Sequence, residues 1–343
     1  MKSERIIPFS ANDGFRCNLI HVTGDKPSTK PPVLLVHGAG VRANIFRAPN
    51  QTDFVDALIE DGYDVWLENW RASIDLPKNA WTLQQAALHD HPAAVRKVVE
   101  LSGAASIKAV IHCQGSTSFM MSAVAGLLPQ VDTIVSNAVS LHPQVPRISH
   151  FKARYALPLV GMITPYLDPQ WGRTARGLVP RLLNGLVRLT HHECGNGVCR
   201  FSSFTYGTGF PVLWRHENLS DEVHDWIGQE FGNVPITFFQ EMRRNLDAGR
   251  LLAGSAGLPA DLTAQPPETE ARIAFLAGEL NNCFNWQSQQ TSFDWFERNR
   301  PNFHSLHVFG GYGHLDVFIG KNAQRDTYPV MLAELGKPSA VRT

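Results

Sequence analysis

The stretch Val110-Ile111-His112-Cys113-Gln114-Gly115-Ser116 decides how this chain is read. An apolar run of strand character ends at a cysteine, and the small residues after it open a helix. A strand that turns sharply into a helix lifts the residue at the turn out of the sheet and aims the helix N-terminal amides at it. Cys113 is that residue. The rest of the chain can then be searched for a base, a group that orients the base, and a pocket.

Upstream, Val33-Leu34-Leu35-Val36 is a continuous apolar run of the sort found in strands buried on both faces, stopped by His37-Gly38-Ala39-Gly40. Phe54, Val55, Leu58 and Ile59 fall at helical spacing and precede a strand over 63–67. The apolar spacing predicts an amphipathic helix over 83–101 that restarts near Asp90-His91-Pro92. A strand over 107–111 leads into Cys113, followed by a helix over 115–128 and a strand over 133–141. This alternation predicts an α/β fold, a mostly parallel sheet with helices on both faces. Residues 4–22 alternate around Asn12-Asp13-Gly14 and predict an opening hairpin at the sheet edge.

Between about 146 and 268 the alternation breaks into a stretch rich in Pro, Gly and aromatics. It resumes with the apolar run Ala271-Arg272-Ile273-Ala274-Phe275-Leu276-Ala277, a helix over 288–298, a strand over 306–309, and the loop Gly310-Gly311-Tyr312-Gly313-His314. The expected organisation is a core in two parts, 1–145 and 269–343, with a cap inserted at 146–268. The cap's aromatics, Phe201, Phe204, Trp214, Phe231 and Phe238 among them, are expected to form its own core and to line an apolar acyl pocket.

With 31 Lys plus Arg against 31 Asp plus Glu, the chain carries no electrostatic footprint for nucleic acid or an anionic membrane, which leaves a small molecule as the expected partner. Met1-Lys2-Ser3-Glu4-Arg5 lacks the apolar run of a signal peptide, and no stretch approaches the roughly 20 apolar residues of a transmembrane helix. A cytoplasmic protein with reduced cysteines is expected.

A nucleophile needs a base, the base needs an orienting partner, and a developing oxyanion needs two donors. His314 lies in the Gly-rich loop after the last strand, with Asp316 two residues on, and the loop Gly278-Glu279-Leu280-Asn281-Asn282 stands where a third group is expected. These pieces together resemble an α/β-hydrolase, most similar to the acid-lipase branch and to hydrolases associated with cholesterol-oxidase-type flavin oxidoreductases. The resemblance rests on residues 32–38, 62–71, 112–116, 194–231 and 311–316, in family order. It implies that Cys113 stands in place of the nucleophilic serine, that His314 is the general base, and that the amides of Ala39 and Gln114 form the oxyanion hole. Asn281 falls where the lipases carry aspartate, with Glu279 second and Asp316 third as orienter. The residue two places before the nucleophile, usually small, is Ile111.

A thiolate leaves a tetrahedral intermediate more readily than an alkoxide, so activated acyl groups such as thioesters and lactones suit Cys113 better than plain esters. A thiolate-imidazolium pair with Asn281 as orienter, as in Cys-His-Asn proteases, is the expected chemistry. The implied function is hydrolysis of a hydrophobic (thio)ester or lactone through a Cys113 acyl-enzyme. Acyl transfer or cyclisation through the same thioester is the alternative, and a non-catalytic ligand-binding homologue is a third reading. Lipase-like polyester synthases, which the residues also resemble, use such a cysteine for acyl transfer.

Several sharper readings lose to plainer ones. Ser116 and Ser118 are nucleophile types, but neither sits at the turn with glycine two residues later. His191-His192-Glu193-Cys194 with Cys199 invites a zinc reading, yet Gly195-Asn196-Gly197 reads as a turn and a paired CxxC is absent, so neither metal nor cofactor is expected. A Cys194–Cys199 disulfide conflicts with a reducing compartment. His89-Asp90-His91-Pro92 reads as a helix start rather than a ligand cluster.

Overall fold

The computed structural model describes residues 2–191 and 194–338. Its strands β1 (Ser3–Ser10), β2 (Arg16–Thr23), β3 (Pro32–Val36), β4 (Asp64–Asn69), β5 (Ile107–His112), β6 (Val131–Asn137), β7 (Arg272–Gly278) and β8 (Ser305–Phe309) form one eight-stranded sheet in the order β1-β2-β4-β3-β5-β6-β7-β8. From β3 to β8 all neighbours run parallel, and β2 alone runs against its neighbours on both sides. The opening hairpin pairs Ile6 with Ile20 and Ile7 with Leu19, and places β1 at the edge. Every residue of β3 and of β5 is buried; β3 is accordingly a continuous apolar run rather than an alternating one, and β5 is apolar over 109–111, with Lys108 paired to Asp132.

The order places the site. The chain steps from β3 outward to β4 on one side and returns to β5 on the other, and an open parallel sheet leaves a crevice at the carboxyl ends of its strands where the order reverses. Because Val36 pairs with Ile111, the loop after β3 and the turn after β5 emerge side by side. Their proximity is a product of strand register.

The helices follow local signals. α1 (Phe54–Glu60) starts at Asp53, whose carboxylate accepts from the Asp56 amide. The segment over 83–101 begins with a capping box between Thr82 and Gln85, widens into a π-turn at Ala86–Asp90, and continues as α2 (His91–Ser102). Proline has no N–H and clashes with an ordinary helical turn, so the wide turn lets the helix run through Pro92 where the sequence predicts a restart. α3 (Cys113–Val124) begins at the cysteine itself.

After Asn137 the chain leaves the sheet and returns only at Arg272, through α4 (Arg147–Ile163), α5 (Leu178–Thr190), α6 (Gly197–Tyr206), α7 (Asp221–Trp226) and α8 (Ile236–Ala248). Part of this segment has its own small core, Leu157, Leu167, Leu183, Val187, Phe201 and Ile236. Trp214, Phe231 and Phe238 instead join the main core, so the aromatics divide between the two clusters. α4 and α5 leave Phe151, Leu159, Met162, Leu182 and Leu189 exposed. α9 (Gln287–Asn299) and α10 (Tyr328–Gly336) complete the layers over β7 and β8. No described helix is long and apolar enough to cross a membrane.

Candidate functional site

Cys113 has φ 56°, in the left-handed region that a residue with a side chain enters at a cost of about 1–3 kcal/mol. The sharp turn therefore forms although Ile111, fully buried in the strand, replaces the usual small residue. Two glycines make room for it. A Cβ on Gly38 would lie 2.9 Å from the Cys113 Cβ, and one on Gly115 would lie 2.2 Å from the His37 carbonyl oxygen. Both are close approaches of backbone to the turn, and at Gly115 the obstacle is backbone that cannot swing away. Gly115→Ala is expected to cost about 1–3 kcal/mol through overpacking, read as a lower urea midpoint at unchanged slope.

Burial pushes the Cys113 thiol up to about 12, against the backbone amides of Gln114 and Ala39, which donate toward the sulfur. Two amides from different loops converging on one point is the arrangement a developing oxyanion needs. One ring nitrogen of His314 lies within 4.8 Å of the sulfur. Burial alone pushes the His314 imidazole down to about 3. Burial thus favours the uncharged form of both groups, a thiol beside a neutral imidazole.

The hydrogen bond to His314 comes from Asn281, whose Nδ2 lies 3.1 Å from His314 Nδ1. The Asn281 Oδ1 is already occupied, accepting from the amides of Cys283 (2.9 Å) and Phe284 (3.0 Å). With its oxygen committed, the side chain can only donate to the ring. Nδ1 is then the acceptor and the ring proton sits on Nε2, the nitrogen that has no hydrogen-bond partner among the described residues. An aspartate in the same place would hold the opposite tautomer.

The other two orienter candidates are engaged elsewhere. Glu279 accepts from the Gly311 amide at 3.4 Å. Asp316 is buried and accepts from the Gly313 amide (2.9 Å) and Asn218 Nδ2 (2.6 Å), so it shapes the loop that carries His314. That loop presses on β7 so closely that a Cβ on Gly278 would lie 1.9 Å from the Gly313 carbonyl oxygen.

Beneath the turn, Ser116 Oγ pairs with Ser136 Oγ at 2.6 Å, and Ser118 Oγ meets His91 Nε2 at 2.8 Å while His91 Nδ1 meets Glu68 at 3.0 Å. The last three residues have the order of a hydrolytic triad, yet all are fully buried and serve as packing under α3. His91 thus holds two elements together, and the helix-start reading of His89-Asp90-His91-Pro92 fails at Asp90, which caps no helix and accepts from Arg71 instead.

A cavity of about 320 Å³ opens onto Cys113 and Gln114, walled by Leu157, Val160, Leu183, Phe238, Met242 and other apolar groups of the inserted segment. Its volume is in the range of small-molecule sites, about 300–1,000 Å³. Lys152 and Arg243 are the charged residues in its wall, and Lys152 Nζ is held by the carbonyls of Phe204 and Gly207. On the other side of the sulfur lies a chamber of about 20 Å³ bounded by Gly38, Ala39, His112, Tyr206 and His314. Tyr206 donates its hydroxyl to the Ala39 carbonyl at 2.8 Å, and Asn137 Nδ2 donates to His112 Nδ1 at 2.8 Å and to the His314 carbonyl at 3.3 Å. Sequence reasoning gives His112 and Tyr206 no role beside the sulfur and misses Asn137, which supports His112 and the His314 loop. His112 stands in the deciding stretch itself, whereas the placement of Tyr206 and Asn137 depends on how the inserted segment and β6 pack against the turn.

His37, His112 and His314 are all held neutral by burial, below the ordinary imidazole value. The unfolded chain protonates them near pH 6.5, so their contribution to stability is complete above that pH and is lost progressively as pH falls toward 3. His314→Asn is expected to reduce the slope of unfolding free energy against pH by about 1.4 kcal/mol per unit between pH 6 and 4. Urea titrations across that range measure it.

No protein-family model matches the chain. Sterol esterase 2 of Saccharomyces cerevisiae is 26% identical over 158 residues, which cover 38% of this chain and 29% of that protein. Lipase member K of Homo sapiens is 31% identical over 105 residues, 27% of this chain and 26% of that protein. The matches thus span less than a third of either relative. Among solved structures, a lipase in its open form and DcsB in complex with its substrate analogue each superpose with a TM-score of 0.60 at 14% identity, covering 97% of this chain and 98% or 99% of theirs. Epoxide hydrolase VrEH1 from Vigna radiata superposes with a TM-score of 0.55 at 15% identity, covering 96% of this chain and 97% of its own. The fold is that of the α/β-hydrolases. On this α/β-hydrolase fold Cys113 occupies the strand-to-helix turn after β5, His314 the loop after β8, and Asn281 the loop after β7.

Proposed function

We propose that this chain is an acyl hydrolase in which Cys113 is the nucleophile, the Ala39 and Gln114 amides stabilise the oxyanion, and His314 moves the proton. Residues 146–268 act as a cap whose inner face forms the acyl pocket. The observation that carries the reading is the pair of converging amides on a left-handed cysteine at the mouth of an apolar cavity. After the ring proton moves from Nε2 to Nδ1, the sulfur attacks the acyl carbonyl, its proton passes to the freed His314 Nε2, the tetrahedral oxyanion collapses, and the leaving group takes the proton from Nε2. The resulting thioester is opened by water, which returns the thiol.

The neutral resting pair bears on the substrate. An imidazole whose Nε2 already carries the proton must shift that proton to Nδ1 before it can act as base, and Asn281 opposes the shift. Acylation is then slow unless the leaving group is good, which favours thioesters, lactones and activated esters over fats. The exposed apolar faces of α4 and α5 and the apolar pocket wall support a hydrophobic acyl chain.

Transfer to a second nucleophile has one observation in its favour. The second chamber, bounded by Cys113 and His314, is of about 20 Å³ and lies apart from the acyl pocket, so a second nucleophile has a place of its own beside the sulfur. Intact-mass spectrometry with a hexanoyl thioester separates the outcomes. A hydrolase gives an adduct on Cys113 that decays to hexanoate in buffer. A transferase gives one that persists until an alcohol is added. A chain that binds the acyl group and never forms an adduct overturns both.

A further inference from the structure

The inserted segment brings together four side chains that lie far apart in sequence. Cys194 Sγ is 3.6 Å from His224 Nε2, Cys199 Sγ is 3.4 Å from His216 Nε2, and one ligand atom from each of the four residues lies within 4.8 Å of all the others. We propose that Cys194, Cys199, His216 and His224 form a structural zinc site that ties α6, the turn at His216–Asn218 and α7 together. This inference is independent of the proposed chemistry at Cys113.

The two closest sulfur-to-nitrogen pairs fit the ion. Zinc bound at about 2.3 Å to sulfur and about 2.0–2.1 Å to imidazole nitrogen sets tetrahedral sulfur-to-nitrogen edges of about 3.5 Å. The ligand set fits too, since two thiolates and two neutral imidazoles balance the charge of the cation. Binding releases the two thiol protons to solvent. Both cysteines are free, with no disulfide between them. Four protein ligands leave no open position, which marks a structural site rather than a catalytic one.

The loop around the cluster is held in shape. The Asn196 amide donates to Cys194 Sγ at 3.3 Å, Asn196 Oδ1 accepts from the amides of Val198 and Cys199 at the start of α6, and its Nδ2 donates to the His224 carbonyl. The turn Gly195-Asn196-Gly197, which reads in sequence as an argument against a metal, is what sets Cys194 and Cys199 on one centre. A search by spacing fails because the two histidines arrive from beyond α6, 17 and 25 residues after Cys199. Of the residues in the sequence-level zinc reading, His192 and Glu193 lie outside the described residues, and His191 is not in the cluster.

The site would hold the segments that touch the catalytic loops. Arg215, beside His216, donates its amide to Asp316, and Asn218 donates to Asp316 and to the Gly311 carbonyl, both in the loop of His314. α6 ends at Tyr206, which bonds the Ala39 carbonyl.

The test uses the full chain purified under reducing conditions without chelator. Elemental analysis should find about one zinc per chain, and exchange with cobalt should give the visible bands of tetrahedral cobalt together with thiolate-to-cobalt charge transfer. His216→Ala with His224→Ala should lower the zinc content at least tenfold, while Cys113→Ala should retain it. Should the double variant not fold, chelation of the wild type followed by zinc should lower and then restore Tm by about 5 °C or more. A wild-type chain with under about a tenth of an equivalent that takes up no cobalt after reduction overturns the proposal. So does an intact mass lower by about 2 Da with Cys194 joined to Cys199, or zinc that is lost with Cys113→Ala.

Discussion

Cys113→Ala is expected to lower acyl-enzyme formation by at least about 10³-fold, with apolar ligand affinity unchanged within about threefold. The pocket wall is made by Leu157, Val160, Leu183, Phe238 and Met242, which the substitution leaves in place. Binding and chemistry should therefore separate cleanly in a single-turnover experiment. Cys113→Ser makes the complementary point. An alkoxide leaves the tetrahedral intermediate less readily than a thiolate, so the serine variant should lose far more activity on a hexanoyl thioester than on the matching oxygen ester. A variant Cys113→Ala that is still acylated would place the nucleophile elsewhere, although Ser116 and Ser118 are fully buried and bonded away from the cavity.

Asn281→Asp is expected to raise kcat/KM for an oxygen ester roughly 5–150-fold at neutral pH, the factor equivalent to the 1–3 kcal/mol of a buried hydrogen bond that opposes the working tautomer. In the wild type, Nδ2 donates to His314 Nδ1 and keeps the ring proton on Nε2. A carboxylate would keep its two amide donors, Cys283 and Phe284, accept the Nδ1 proton and free Nε2 to act as base. The pH profile gives a second readout. With His314 held down to about 3 and Cys113 up to about 12 by burial, wild-type kcat/KM should be flat across the neutral range. The new carboxylate favours the imidazolium, so the acid limb should move upward toward neutrality in the variant. A variant with wild-type rate and a flat profile would show that Asn281 does not control the ring.

Much of this was legible from local pattern. The strand run at 33–36 is continuous because both faces of β3 are covered, and that burial can be read from composition alone. Cys113, with glycine two residues later, marks the turn by itself. The protonation state was not legible. It follows from complete burial of both Cys113 and His314, and burial depends on how the inserted segment covers the turn. Tyr206 and Asn137 escaped for the same reason, since nothing near them in the chain refers to the loop they support.

By itself the sequence determined an α/β sheet, the order of its strands along the chain, the turn at Cys113, and the loops over 278–282 and 310–314, while the choice of Asn281 within its loop rested on the family resemblance. The sheet, the turn and the loops arise from hydrophobic period and turn chemistry, which act over a few residues. Only the tertiary structure decided that the Asn281 amide faces the imidazole with its donor end, because two backbone amides from the next loop residues occupy its oxygen. Only the tertiary structure, too, gathers ligand atoms of Cys194, Cys199, His216 and His224 within 4.8 Å of one another. Contacts between segments distant in the chain are set by packing, and no local pattern encodes the direction in which a side chain finally points.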